Sequence, residues 1–209
     1  MGDRAYKNII FDVGNVLIGF RWEDMLMKDH GMSEEAALSF GNMIFSDPLW
    51  KEFDLAVIPY EEVIERYVKN YPDYEADIRW FFSHTELMSV PRPRVWEKVG
   101  RLKQAGYAVY LLSNYSRQML GTHTGGAAFH DYLDGGVISY QVHVIKPDEQ
   151  IYRKLLEKYG LSARESIFFD DRSDNVEAAL ALGMGGIVVT DEQQLIKELE
   201  RLIRQREDC

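Results

Sequence analysis

The stretch KNIIFDVGNVL, residues 7–17, decides the fold of this chain. Its apolar residues 9–11 predict a short buried strand, Asp12 stands at the C-terminal end of that strand, and Gly14 opens a turn. A carboxylate at the end of a buried strand is costly to desolvate unless a cation or a reaction requires it. In open α/β sheets, ligands bind at this edge. The stretch therefore predicts an α/β fold with a site at Asp12, acting as a nucleophile, a metal ligand or both.

Other short apolar runs, rich in β-branched and aromatic residues, also predict strands. Together with the first strand, the predicted strands are residues 8–11, 108–113, 166–169 and 186–189. Helical patterns alternate with the later strands, at residues 95–105, 149–159, 176–182 and 193–204. We expect Asp174 to cap the third of these helices. Alternating strands and helices predict a Rossmann-like, mostly parallel sheet that helices cover on both faces.

A long segment after the first strand interrupts this alternation. It has little strand signal, and helical patterns occupy residues 34–44, 60–70 and 77–84. Because a connection of this length exceeds an ordinary crossover, we expect a small helical cap domain at residues 18–89, inserted into a core of residues 1–17 and 90–209. The aromatic residues of the insert are expected to form its own core; they are Trp50, Phe53, Trp80, Phe81 and Phe82.

The composition narrows the classes of partner. A formal net charge of -10 argues against a nucleic-acid or anionic-membrane surface, because both select basic patches. Cys209 is the only cysteine, which fits a reducing cytoplasm, and no apolar run reaches the ~20 residues of a membrane span. A cytoplasmic protein without nucleic-acid or membrane partners is expected.

Polar residues end or follow the predicted strands, or precede a predicted helix. They are Asp12, Ser113, Asn114, Lys146, Asp170 and Asp171. Because the strands are parallel, their carboxyl ends should bring these residues to one rim of the sheet.

The predicted rim suits phosphoryl transfer to a carboxylate. Attack by an Asp on a phosphate dianion pairs like charges, so a divalent cation and a lysine are needed to offset the repulsion. Mg²⁺ prefers hard oxygen ligands and uses one or two protein carboxylates, which Asp12 and Asp171 would supply. A hydroxyl such as that of Ser113 can hold phosphate oxygens, and Lys146 adds a positive charge.

Four segments together resemble the four motifs of the haloacid dehalogenase-like (HAD) hydrolase superfamily: DVGNV, LLSN, IKPD and FFDDRSDN, in chain order. The helical insert lies where that family carries its C1-type cap. The chain is most similar to the branch that contains sugar-phosphate phosphatases such as α-D-glucose-1-phosphate phosphatase, and the N-terminal phosphatase domain of soluble epoxide hydrolase.

This resemblance implies a magnesium-dependent phosphatase that forms an aspartyl-phosphate intermediate. Asp12 would be both the nucleophile and a magnesium ligand, with the backbone carbonyl of Gly14 and the Asp171 carboxylate as further ligands. Asp170 and Asn175 would support the metal site.

The resemblance assigns the other site residues to the phosphate. Ser113 and Asn114 would bind the transferring phosphoryl group, and Lys146 would stabilise its charge and the nucleophile. The implied substrate is a small phosphorylated metabolite such as a sugar phosphate, and the chain is expected to act as a monomer or homodimer.

One position departs from the family pattern. Most family phosphatases have a second Asp two residues after the nucleophile, which protonates the leaving group and then activates water; here that position is Gly14. General acid–base catalysis is worth ~10²–10⁴-fold. Either Glu23, Asp24 or a cap residue substitutes, or the substrate is a sugar 1-phosphate, whose better leaving group tolerates the loss. Two alternatives stay open: a metal-independent 2-haloacid dehalogenase, and a non-catalytic regulatory protein that keeps the phosphate and metal pocket.

Overall fold

A parallel five-stranded sheet forms the centre of the molecule. The computed structural model describes residues 6–207, so Cys209 and residues 1–5 of the expected core lie outside it. The strands are β1 Asn8–Phe11, β2 Ile18–Phe20, β3 Ser89–Pro91, β4 Ala108–Ser113, β5 Gly135–Ile138, β6 Ser166–Asp170 and β7 Gly185–Val188. The order in the five-stranded sheet is β5-β4-β1-β6-β7. The predicted Rossmann-like α/β fold is therefore confirmed.

Helices cover the sheet and fill the segment between β2 and β3. That segment holds α1 Trp22–Asp24, continued by a π-helical turn at Met25–Asp29, then α2 Glu34–Ser46, α3 Pro48–Leu55, α4 Tyr60–Asn70 and α5 Glu75–Ser83. The remaining α-helices are α6 Pro93–Gln104, α7 Arg117–Thr124, α8 Ser139–Val142, α9 Glu149–Tyr159, α10 Ser173–Ala181 and α11 Glu192–Glu207. None of the helices within residues 6–207 combines the length and apolar character that crossing a bilayer requires.

The central strand β1 is buried along its whole length. Successive side chains of a strand point to opposite sides of the sheet, and an apolar core lies on each side of β1. Ile9 and Phe11 pack into the larger apolar core, which includes residues of α6 and α11. Ile10 faces the smaller core, which contains Ile151 and Leu155 of α9. This two-sided burial is typical of parallel sheets and explains why β1 is a continuous apolar run.

The predicted strands differ little from those observed. β1 and β4 have the predicted ends, β6 runs one residue further to Asp170, and β7 lies one residue earlier. The edge strand β5 was not predicted, because its sequence starts with Gly135 and Gly136, which weaken the strand signal. The Tyr159 hydroxyl fills the space that a side chain at Gly135 would need.

The expected cap at Asp174 is wrong. Helix α10 begins at Ser173 with Arg172 at the N-cap position, and Asp174 lies within its first turn. Asp170 accepts a hydrogen bond from the Arg172 N–H at 2.8 Å, which turns the chain into the helix early. Asp174 instead accepts from the Asn175 N–H at 2.9 Å and pairs with the Arg172 guanidinium at 2.7 Å.

The two ends of the helical segment lie next to each other where they join the core. β2 and β3 pair antiparallel, with Gly19 opposite Val90. Within the segment, α3 was not predicted, although Asp47 followed by Pro48 is a helix-start signal and the Asp47 carboxylate accepts from the Leu49 N–H at 2.8 Å.

Candidate active site

The carboxyl ends of the sheet open into a cavity of about 910 Å³ between the strand ends and the helical segment. The predicted site residues that line it are Asp12, Gly14, Ser113, Asn114, Lys146, Asp171 and Asn175. Asp170 has no exposed surface and lies beneath the cavity floor. The residues predicted to meet at the carboxyl ends of the parallel strands, together with Lys146 before α9, therefore lie around one cavity.

Lys146 is the centre of a buried charge cluster. Its ammonium lies 2.8 Å from the Asp12 carboxylate and 2.6 Å from that of Asp170, and the lysine is 3% exposed. The Ser113 hydroxyl donates a 2.5 Å hydrogen bond to the Asp12 oxygen that also contacts Lys146. Asn175 donates to both carboxylate oxygens of Asp170, at 3.0 and 3.1 Å. One lysine thus holds two carboxylates, and Asp170 is fixed from its other side.

Asn114 holds the main chain of Lys146. Its amide oxygen accepts from the Lys146 N–H at 2.8 Å, and its amide N–H donates to the Lys146 carbonyl at 3.1 Å. The peptide bond that follows, Lys146–Pro147, is cis. The amide oxygen and the amide nitrogen of Asn114 are both hydrogen-bonded to the main chain of Lys146, so Asn114 fixes where the lysine enters the cavity.

The loop after β1 is shaped by Asn15, whose role the sequence analysis missed. Asn15 has a φ of 53°, a left-handed conformation that Asn tolerates better than most residues. Its amide donates to Asp171 at 3.0 Å and accepts from the Phe20 N–H at 3.2 Å. Arg92 donates to the carbonyls of Asn15 and Val16 at 2.5 and 3.2 Å. An Asn after Gly in a turn was the available signal, but its partner Asp171 lies far away in sequence.

The acidic residues at the floor suit a hard divalent cation. Carboxylate oxygens of Asp12, Asp170 and Asp171 all lie within 4.8 Å of one another. Within residues 6–207, the buried amide oxygen of Asn175 has no hydrogen-bond partner and is available to accept from a metal-bound water. Oxygen donors with room for water are the ligands that Mg²⁺ prefers, so the residues present fit this ion.

The electrostatics show the same crowding of negative charge. Burial raises the pKa of Asp12 to about 6, and the Asp170 charge adds to the rise, while Lys146 acts in the opposite direction. Burial also raises the pKa of Asp171, against the hydrogen bond from Asn15. For Lys146, burial alone would lower the pKa, but the two carboxylates outweigh it and raise the pKa. A second positive charge at the floor would stabilise the ionised carboxylates.

Phe20 occupies the space above Gly14. A Cβ added at Gly14 would lie 2.7 Å from the Phe20 ring. The ring is held by its neighbours, with centroids 5.4 Å from His123 and 6.3 Å from Tyr115. The space next to Gly14, the position where most family phosphatases carry their second Asp, is therefore filled by an aromatic ring from β2.

The helical segment contributes aromatic and acidic side chains to the cavity wall. Trp22, Phe45 and Trp50 line it in sequence, with centroid distances of 5.3 Å and 4.7 Å between successive rings. The expected core role is confirmed for Phe53, Phe81 and Phe82, which are buried. Trp50 departs from it in part, because it packs on that core and also lines the cavity. The acidic member, Asp54, was not singled out from the sequence.

The sequence of residues 6–183 matches the family described as haloacid dehalogenase-like hydrolases. A similar curated protein is the sesquiterpene phosphatase astK of Aspergillus oryzae, which is 28% identical over 203 residues and is covered to 97%, against 95% of this chain.

Solved structures share the fold. A HAD-like hydrolase of Porphyromonas gingivalis superposes with a TM-score of 0.74 at 20% identity, covering 95% of this chain and 98% of that one. A HAD family enzyme of Bacteroides thetaiotaomicron, solved with magnesium and inorganic phosphate, superposes with a TM-score of 0.71 at 22% identity, covering 91% and 99%. A dehalogenase also matches, with a TM-score of 0.71 at 19% identity, covering 97% and 98%.

Proposed function

The chain belongs to the haloacid dehalogenase-like hydrolases, and from that premise we propose that it is a magnesium-dependent phosphatase of a small phosphorylated metabolite. The observation that carries the proposal is the acidic cluster at and just beneath the floor of the cavity, where three carboxylates lie within 4.8 Å of one another beside the buried Lys146. A buried lysine between two carboxylates, with a hydroxyl on one of them, suits transfer of an anionic group to a carboxylate.

Asp12 is the proposed nucleophile. It lies at the open face of the charge cluster, whereas Asp170 is fully enclosed and held by Lys146, Arg172 and Asn175. An Asp12 oxygen would attack phosphorus, the bond to the organic group would break, and an aspartyl-phosphate would form and then be hydrolysed. Ser113 and Lys146 would bind oxygens of the transferring group.

Asn114 supports this arrangement in two ways. Its backbone N–H follows the end of β4 and would face the phosphoryl oxygens, while its side chain holds the main chain of Lys146. The ammonium of Lys146 thereby stays at the nucleophile rather than in solvent.

Asp12, the Gly14 carbonyl and Asp171 would hold Mg²⁺, with Asp170 and Asn175 in support. The ion would supply Lewis-acid stabilisation of charge on the phosphoryl oxygens. Support comes from the fit of the carboxylates and from the magnesium and phosphate bound by the B. thetaiotaomicron enzyme of the same fold. A metal-independent dehalogenase has no use for this acidic cluster, which is why we favour the phosphatase.

The substrate class follows from the cavity wall. Trp22, Phe45 and Trp50 offer ring faces that can pack against the apolar face of a sugar or against a hydrocarbon group. The matched A. oryzae protein is named as a sesquiterpene phosphatase, so terpenyl phosphates join sugar 1-phosphates as substrates to test. We retain the division into a core of residues 1–17 and 90–209 and a cap of residues 18–89, and a cytoplasmic monomer or homodimer, as parts of the proposal.

The test is a phosphate-release assay of the purified chain. The panel should contain p-nitrophenyl phosphate, sugar 1-phosphates and farnesyl phosphate, each with Mg²⁺ and with EDTA. We expect magnesium-dependent release that Asp12→Asn abolishes and the matched variant Asp73→Asn, at an exposed position of the helical segment, leaves unchanged. Halide release from 2-haloacids under EDTA would instead establish the dehalogenase. Phosphate binding without turnover of any panel member would establish the regulatory alternative.

A further inference from the structure

Asp54, near the end of α3, places a carboxyl from the helical segment in the same cavity as Asp12 and Lys146. The residue is half-buried. Its backbone carbonyl accepts a hydrogen bond, but within residues 6–207 its side chain has no hydrogen-bond or ion-pair partner. A half-buried carboxyl without a partner is costly to maintain unless it serves a reaction or a ligand.

The main chain around Asp54 is tied to the core. The Ser139 hydroxyl donates to the Asp54 carbonyl at 2.6 Å and accepts from the Tyr115 N–H at 2.9 Å. The His143 ring bonds the Leu55 carbonyl at 2.7 Å. Ser139 thus connects the main chain of Asp54 to the segment that follows Ser113, so the backbone that carries this carboxyl is fixed relative to the phosphate-binding residues.

The surroundings of Asp54 favour a carboxyl that holds a proton near neutral pH. Burial raises the pKa of Asp54 to about 7, with the Asp12 charge adding to the rise and Lys146 opposing it. The other titratable groups that sense its charge are Tyr67 of α4 and Tyr115. A group whose pKa lies near the working pH can donate a proton and take it back.

The other acidic residues of the cavity wall are less suited. Asp24 is paired with Lys28 at 2.8 Å, and the hydrogen bond from Lys28 lowers the pKa of Asp24 against the opposing effect of burial. Glu23 is exposed. Gly14 carries no side chain, and Phe20 fills the adjacent space. Among the cap residues that line the cavity, Asp54 is the half-buried carboxyl without a partner.

We infer that Asp54 is the general acid and base of this enzyme, replacing from the cap the carboxyl that position 14 lacks. The inference rests on the proposed phosphatase function. As an Asp12 oxygen bonds to phosphorus and the P–O bond to the organic group breaks, Asp54 gives its proton to the departing oxygen, which leaves as an alcohol. Asp54 then takes a proton from water as the water oxygen bonds to phosphorus, the bond to Asp12 breaks, and inorganic phosphate leaves.

The experiment compares Asp54→Asn with the wild type on two leaving groups. p-Nitrophenolate needs no proton to leave at neutral pH, whereas an alkoxide does. For an alkyl phosphate that the wild type hydrolyses, we expect kcat/KM to fall by ~10²–10⁴-fold. For p-nitrophenyl phosphate, we expect a rapid burst of one equivalent of p-nitrophenol followed by slow turnover, with the phosphorylated Asp12 peptide detected by mass spectrometry.

Two control variants separate this role from a structural one. Glu52→Gln, on the same helix and paired with Arg66 at 3.1 Å, should leave both substrates unaffected. Asp54→Glu should recover part of the alkyl phosphate rate. Equal losses on both substrates, with no burst and no phosphorylated peptide, would overturn the role of Asp54 while leaving the phosphatase intact. Absence of magnesium-dependent release by the wild type itself would instead overturn the proposed function.

Discussion

Replacing Gly14 with Asp tests whether Phe20 blocks the position that usually carries the acid. The added Cβ would stand 2.7 Å from the Phe20 ring, whereas carbon atoms in contact prefer about 3.5–4.0 Å. Gly14 lacks a left-handed φ, so the penalty comes from this overlap rather than from the backbone. Overpacking of this kind costs about 1–3 kcal/mol, and a chain of this size loses about 2–4 °C of Tm per kcal/mol.

The partner substitution Phe20→Ala removes the obstruction. Alone, it should destabilise the half-buried site by up to about 3 kcal/mol, because the ring leaves its contacts with Tyr115 and His123. In Gly14→Asp/Phe20→Ala the overlap is gone, so the double variant should be about 1–3 kcal/mol more stable than the sum of the single effects. Urea unfolding of the four proteins measures this coupling energy directly.

The same pair has a catalytic consequence. In the wild-type background, where we infer that Asp54 already supplies the proton, the double variant should change the alkyl phosphate rate little. In an Asp54→Asn background, the new carboxyl at position 14 should restore activity by at least ~10²-fold. Gly14→Asp alone should restore less, because the Phe20 ring keeps the carboxyl from its place.

Additive stabilities of the two single variants would refute the steric reasoning. A gain of the same size in the presence and absence of Asp54 would show that the two carboxyls do not share a task. Phe20→Leu is the matched control, since it keeps most of the apolar volume and should relieve only part of the overlap.

Three further outcomes follow from the site. Asn114→Ala should destabilise the fold by about 1–2 kcal/mol and lower kcat, because the main chain of Lys146 loses both of its side-chain hydrogen bonds; urea unfolding and steady-state kinetics would show it, and an unchanged kcat would contradict the positioning role. Magnesium should raise the Tm, because a ligand at a free concentration 100 times its Kd adds about 2.7 kcal/mol to the free energy of unfolding. Asp171→Asn should diminish that rise in a thermal melt, and an equal rise in the variant would exclude Asp171 as a ligand. Ser139→Ala should cost about 1–3 kcal/mol and slow alkyl phosphates more than p-nitrophenyl phosphate, because Asp54 loses its tie to the core; a uniform change in both rates would argue against that tie.

The sequence alone was sufficient to predict the strands whose burial leaves a simple local pattern of apolar residues. β1 and β4 are buried on both faces, so their residues are continuously apolar and their ends are marked by Asp12 and by Ser113. β5 is an edge strand that starts with two glycines packed against Tyr159 and Leu111, and neither contact leaves a local pattern.

The same distinction holds for the candidate site. Strand ends place Asp12, Ser113 and Asp170 without knowledge of packing, because parallel strands share a direction. Asp54 was not found, because its importance depends on the tertiary placement of α3 against α8, which no periodicity encodes.

The role of Asn114 was only half predicted for a similar reason. Its position after β4 indicated the rim, but the two hydrogen bonds to Lys146 join residues from different connections. Hydrogen bonds between such distant residues leave no pattern in a single sequence, whereas the apolar strand that precedes Asn114 does.

The pairing of β2 with β3 has a consequence for how separable the helical segment is from the sheet. Because Gly19 lies opposite Val90, the two ends of the intervening helical segment are neighbours in space. Insertion or loss of a segment whose ends already meet requires only a tight turn to close the remaining chain and leaves the strand order of the sheet undisturbed. The helical segment is thus joined to the sheet at one place, and a change confined to it would alter the cavity wall and Asp54 while leaving in position the strand ends that carry Asp12, Ser113 and Asp170.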